Sequence, residues 1–150
     1  MENLVELRNV TKNYGNNKVL DDINLVINKN DLIGLIGANG SGKTTLLSIL
    51  CGLITDMDGE LIKNKSIKIG ALIDEPIFYS HLSASQNLAL IAQIKGIKDV
   101  DIDYLLEQVS LTECKKMKYK NFSLGMRQRL GIAAALIGNP EIILLDEPTN

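Results

Sequence analysis

Tryptophan is absent from this 150-residue chain, and aromatic residues make up only 4% of it. Histidine occurs once, at His81, and cysteine twice, at Cys51 and Cys114. The two cysteines stand far apart in unlike settings and lack the spacing of a metal site, so they read as reduced thiols of a cytosolic protein. There is no basic excess either. Sixteen basic residues face eighteen acidic ones, for a net charge of −2. That balance argues against a nucleic-acid surface. The start, MENLVELRNV, lacks the basic and apolar regions of a signal peptide. The longest apolar candidate, LGIAAALIGNPEIILL, is broken by Gly-Asn-Pro-Glu and is too short to cross a bilayer. Any membrane role is therefore expected to come through a partner.

What is present suits one ordinary domain with a real core, at 45% hydrophobic residues. Three zones follow one another. Residues 1 to 30 read as short strands: LVELRNV, a turn at YGNNK, then VLDDINLVI with roughly alternating apolar positions. Residues 31 to 57 read as strand, tight loop and helix. LIGLIG suits a buried strand, and TTLLSILCGLI places Leu46, Leu47, Leu50 and Leu53 at helical spacing. Gly59 to Gly70 returns to short strand-like pieces. From residue 80 to 137 the pattern is helical: Ser83 and Gln86 form a capping box ahead of NLALIAQIK, which Gly96 ends. DIDYLLEQV is a second helix, and a third begins near Ser123. IILL, at 142 to 145, reads as another buried strand. A parallel α/β core with a helical insertion and a small β appendage is the simplest assembly.

The chemistry begins at GANGSGKTT, residues 37 to 45. Gly37, four residues, then Gly42-Lys43-Thr44 matches a phosphate-binding loop. Glycines let the backbone curl so that successive N–H groups point at phosphate oxygens, and the helix opening at Lys43 adds its positive end there. The expected nucleotide contacts are Gly37, Asn39, Gly40, Ser41, Gly42, Lys43, Thr44 and Thr45. Lys43 would reach the β and γ phosphates of a nucleoside triphosphate, with the Thr44 hydroxyl placed for Mg²⁺. A dinucleotide fingerprint needs another glycine spacing and has no use for this lysine. Such loops share the metal with an Asp that ends a neighbouring buried strand. Asp146, after IILL, is that residue, and Glu147 beside it is the natural general base toward water.

Taken in order along the whole chain, these segments resemble the ATP-binding subunits of ABC transporters. The resemblance implies an ABC-type P-loop NTPase fold with a helical insertion and a small antiparallel β subdomain. It divides the chain into a β part (1–30 and 58–70), a P-loop core (31–57 and 138–150) and a helical part (71–137). Tyr14, in TKNYGNNKVL, matches the aromatic residue that stacks on adenine; a half-buried hairpin tyrosine is the lesser reading. FSLGMRQRL, residues 122 to 130, matches the signature segment, whose Ser123 and Gly125 would bind the γ-phosphate of ATP held by a second ATP-binding subunit. Read alone, Ser123 is a good helix N-cap. Leu124 and Met126 replace the usual neighbours of Gly125, a variant similar to the bacitracin-resistance and lantibiotic-immunity exporters.

Asp74, in IGALIDEPIFY, stands where the family places a glutamine that reaches the catalytic metal and the attacking water. An acidic residue fits the lantibiotic subgroup; a solvated loop is the other reading of Asp74 and Glu75. Ile77, Phe78 and Tyr79 lie, by resemblance, where the ATPase meets a polytopic membrane subunit, or else simply pack the helical insertion. His81 reads as a solvated loop residue. The implied activity is Mg-ATP hydrolysis that powers export through a separate membrane permease. The subunit would sit peripherally on the inner face of the plasma membrane. Because the family continues past the DEPTN segment into the strand carrying its switch histidine, the core is expected to be incomplete and the chain truncated. A soluble ABC-type ATPase outside transport, and a nucleotide-binding fragment without turnover, are the alternatives.

Overall fold

The computed structural model describes residues 2–64, 66–74 and 78–147. The chain divides into two compact units, Met1–Ile67 and Lys68–Asn150.

In the first unit, β1 (Asn3–Tyr14) is the middle strand of a three-stranded antiparallel sheet, flanked by β2 (Asn17–Asn28) and β3 (Asp58–Lys63). A two-residue turn, Gly15–Asn16, joins β1 to β2, with Gly15 at the positive φ that tight hairpins require. Both pairings slip in register after Arg8, and Asn9 takes φ 49 there. This bulge is held by the Asn9 amide donating to Asn24 Oδ1 and by Asn9 Nδ2 donating to Asp22 Oδ1, at 2.9 and 2.7 Å. Leu4, Val5, Leu7, Val10 and Leu20 of the sheet are buried, as are Leu46, Leu47, Ile49 and Leu50 of α1 (Lys43–Leu50).

Two expectations fail in this unit. LIGLIG is neither a strand nor buried. Residues 31–38 carry no ladder hydrogen bonds, and Leu32 and Ile36 are 100% exposed. A strand exists only against a partner edge, and no described strand pairs with this run. Leu53 was expected on the buried face of the helix, but α1 stops at Leu50 and Leu53 is exposed. The reason is Gly52, in the left-handed region at φ 80. The Gly52 amide donates to the Ile49 carbonyl and the Leu53 amide to the Ser48 carbonyl, both at 2.9 Å, closing a Schellman motif. Gly96 ends the helix Ala84–Ile94 (α2) in the same way, as expected, with the Ile97 amide donating to the Ala92 carbonyl.

The second unit carries a parallel strand pair, β4 (Ile69–Leu72) and β5 (Ile142–Leu145), with α2 (Ala84–Ile94), α3 (Ile102–Gln108) and α4 (Leu124–Leu136) between them in sequence. Its core gathers Leu88, Leu106, Leu111, Phe122 and Leu130 with Phe78 and Ala133. Helix α4 lies directly on β4: a Cβ added at Gly70 would collide with the Ala135 carbonyl, so close approach explains that glycine. IILL is a strand as expected, but only Ile142 and Leu144 are buried, and Ile143 and Leu145 face outward. Among the described residues β5 pairs with β4 alone, so one face of IILL is covered rather than both. No described helix is long and apolar enough to cross a membrane.

The capping box at α2 is complete. Ser83 Oγ accepts from the Gln86 amide, and Gln86 Oε1 accepts from the Ser83 amide. One turn on, buried Asn87 ties down the approach to the helix. Its Oδ1 accepts from the Tyr79 amide at 2.8 Å, while its Nδ2 donates to the Tyr79 and Ser83 carbonyls at 3.2 and 3.0 Å. Replacing Asn87 by Ala takes this acceptor from the Tyr79 amide, while the Tyr79 and Ser83 carbonyls keep the Leu82 and Asn87 amides. It should cost about 1–3 kcal/mol of stability, read as a lowered urea midpoint by circular dichroism. An unchanged midpoint would show that the loop orders itself by other means.

Candidate functional site

In the first unit residues 37–42 form a tight loop that runs into α1. Asn39–Gly40 form a turn closed by the Ser41 amide donating to the Ala38 carbonyl at 3.1 Å. Gly40 and Gly42 both hold positive φ, 80 and 92. Gly42 is the N-cap of α1, which has no side-chain cap and no acidic residue in its first turn. The positive end of that helix is therefore left for an external anion. Lys43 folds back so that Nζ donates to the Gly37 and Ala38 carbonyls at 2.9 and 3.0 Å. The ammonium thus spans the mouth of the loop. Thr44 is exposed in the first turn, and Thr45 is half-buried.

Gly42 also fixes where the loop sits. A Cβ there would lie 2.8 Å from the Val19 carbonyl oxygen and 2.9 Å from Leu20 Cδ2. The loop is pressed against β2, the second strand of the hairpin whose tip carries Tyr14. Tyr14 is 49% exposed, near the end of β1 and paired with Asn17. Loop and aromatic ring therefore belong to one unit. Their neighbour Lys12, which the sequence pattern did not single out, is 6% exposed and lies 5.0 Å from the centre of the Tyr14 ring.

The acidic residues gather in the second unit. Leu72 pairs with Leu145 at the ends of the parallel strands, and the Asp146 amide still donates to the Leu72 carbonyl at 2.9 Å. Asp74 and the Asp146–Glu147 pair therefore leave the same, carboxyl, end of two adjacent strands, where open α/β sheets bind ligands. Asp74 and Glu147 both hold the left-handed backbone, at φ 61 and 41. That conformation is uncommon for non-glycine residues, and for Glu147 it marks a main chain turned sharply as it leaves the strand. Asp146 is half-buried; Asp74 and Glu147 are exposed. No group of three or more His, Cys, Asp or Glu side chains among the described residues is arranged to hold a metal by itself.

Ser123 caps α4 with its hydroxyl accepting from the Met126 amide at 3.3 Å, and Leu124 and Gly125 beside it are exposed. Around Gly125 there is open space. Phe78 is in the core against Tyr119, ring centres 5.0 Å apart, while Tyr79 is exposed and meets His81 edge-on. His81 lies at the surface, as expected. Ile77 and Glu75 fall outside the described residues.

A family model for ABC transporters matches residues 20–150. A lantibiotic transport ATP-binding protein of Streptococcus pyogenes, SrtF, is 40% identical over 98% of this chain and 67% of its own length. Bacitracin transport ATP-binding proteins, BcrA, of Bacillus licheniformis and Enterococcus faecalis are 42% and 39% identical over the full chain. The chain spans 53% and 52% of their lengths, so it covers about half of those relatives.

The two glycines of the candidate site should respond oppositely to alanine. Gly42→Ala combines a left-handed residue, about 1–2 kcal/mol, with a clash against β2 that no side-chain shift relieves, and should lower the melting temperature. Gly125→Ala meets no neighbour and removes backbone freedom, so it should be neutral or stabilising by up to about 1 kcal/mol. Calorimetric melting of both variants checks the contrast.

Proposed function

Because this chain belongs to the ABC transporter family, we propose that it is an ATP-binding subunit that takes Mg-ATP and powers export through a separate membrane subunit. The observation that carries the reading is the uncapped N-terminus of α1, with Lys43 Nζ held across the Gly37 and Ala38 carbonyls. An anion of several charges replaces those carbonyls with stronger, charge-assisted bonds. In this reading the amides of the loop from Gly37 to Thr45 cradle the phosphates, Lys43 reaches the terminal ones, and Tyr14 stacks on adenine. Thr44 and Asp146 are the residues that would hold magnesium, which would screen the triphosphate charge. Glu147 accepts the proton of a water whose oxygen attacks the γ-phosphorus as the bond to the ADP oxygen breaks. Asp74, leaving the neighbouring strand end, orients that water. Ser123 and Gly125 bind the γ-phosphate of ATP held by a second ATP-binding subunit.

The likeness to SrtF and BcrA supports antimicrobial peptides as the cargo, with the subunit working on the inner face of the plasma membrane against a polytopic permease. The reading keeps a β part, a P-loop core and a helical part as the functional divisions. A second reading, nucleotide binding by this chain without turnover, is favoured by one observation. The apolar run leading into the phosphate loop, Leu32 to Ile36, has no strand beside it among the described residues. Such a run invites a pairing strand, and until one is supplied the loop lacks a rigid strand behind it.

Calorimetry and turnover assays separate these readings. Lys43→Ala should weaken ATP binding by about 1.5–3 kcal/mol, the range of a charge-assisted hydrogen bond; unchanged affinity would refute the loop assignment. Glu147→Gln should leave binding intact and lower turnover roughly 100-fold or more. ATP binding with no turnover in the unsubstituted chain supports the second reading instead.

A further inference from the structure

Lys12 lies two residues before Tyr14 on β1 and is the most deeply buried charged side chain among the described residues, 6% exposed. Lysine is almost never that buried unless paired. Its ammonium donates to the main-chain carbonyl of Asp56 and, at 3.1 Å, to Asp56 Oδ2, and it stands over the Tyr14 ring at 5.0 Å from the centroid. Carbonyl, carboxylate and ring face together satisfy the three N–H directions of an ammonium. The Asp56 carboxylate is fully exposed, so the ion pair alone does not account for burying the cation. The ring is the partner that the burial serves.

We propose that Lys12 is a positioning and specificity residue for the nucleobase: it holds one face of the Tyr14 ring and leaves the other presented for stacking. The proposal rests on the reading of Tyr14 as the adenine platform. Tyr14 is half exposed near a hairpin end, where an unheld side chain samples several rotamers and loses that freedom when a base stacks on it. A cation fixed beneath the ring removes that loss in advance. It also draws π density toward itself, which favours an electron-rich heteroaromatic base on the opposite face. Asp56 anchors the ammonium from the 54–57 stretch between α1 and β3, so the platform is fastened to the segment that follows the loop's own helix. The effect concerns the base and leaves the phosphates alone.

The test compares ATP with inorganic tripolyphosphate by titration calorimetry on the whole chain. The unsubstituted chain should prefer ATP, and Tyr14→Ala should abolish that preference. Lys12→Met should reduce ATP affinity about three- to tenfold, the scale of a partly desolvated cation–π contact, with tripolyphosphate affinity unchanged. Lys12→Arg should restore the preference. Lys12→Gln, which keeps a donor toward the Asp56 carbonyl but no cation, is the second variant should Lys12→Met melt early, and it should show the same base-selective loss. Equal losses on ATP and tripolyphosphate would make Lys12 a structural staple and overturn the proposal. An unaltered preference in the lysine variants would overturn it while leaving Tyr14 in place. A chain with no base preference before substitution would remove the Tyr14 platform itself, and the role of Lys12 with it.

Discussion

The contact between Gly42 and the β1–β2 hairpin governs the first unit. The loop can curl only because Gly42 accepts a left-handed backbone, and it can lie flat on β2 only because that residue has no Cβ to meet the Val19 carbonyl. One atom's absence therefore sets two things at once: the direction in which the amides of α1 point, and the distance from the phosphate loop to the strand pair that ends at Tyr14. The loop and the strand pair are coupled through packing. The buried Leu46, Leu47 and Ile49 behind the loop hold α1 while its N-terminus stays uncapped for a ligand.

Much of this was readable from residue order, and the physical reason is that the legible parts are local. A phosphate loop is specified within nine residues, because its glycines, lysine and threonine each answer to backbone geometry inside the loop. The α2 capping box is closed between Ser83 and Gln86, so three residues declare it. The left-handed stop at Gly52 is equally local, and the helix was read too long because leucine spacing was weighed above it. The illegible parts depend on what stands next door. LIGLIG has the composition of a buried strand and lies exposed, since a strand is a property of a pair. IILL is half covered for the same reason. Lys12 is not legible in the pattern because the residue that anchors its ammonium, Asp56, is forty-four residues away.

The second unit shows how a parallel pair can carry chemistry with few residues. Antiparallel strands joined by a hairpin deliver their ends to opposite edges, whereas β4 and β5 run the same way and deliver Asp74 and Asp146–Glu147 to one edge. The long connection that parallel pairing demands is the helical segment itself, α2 to α4, so the elements needed for topology also present Ser123 and Gly125. Close packing of α4 on β4 at Gly70 holds this arrangement.

The two sets of ligands are treated differently by the fold. The phosphate loop makes its described contacts within its own unit, from Gly37 to the β2 backbone. Asp74 and Glu147 in turn leave their strands in left-handed conformations that are uncommon for residues other than glycine. Strain of that kind persists only where the surroundings hold it, and it clusters at functional sites. The energetic division follows. Affinity for the triphosphate should reside in the first unit, with reactivity toward water in the second.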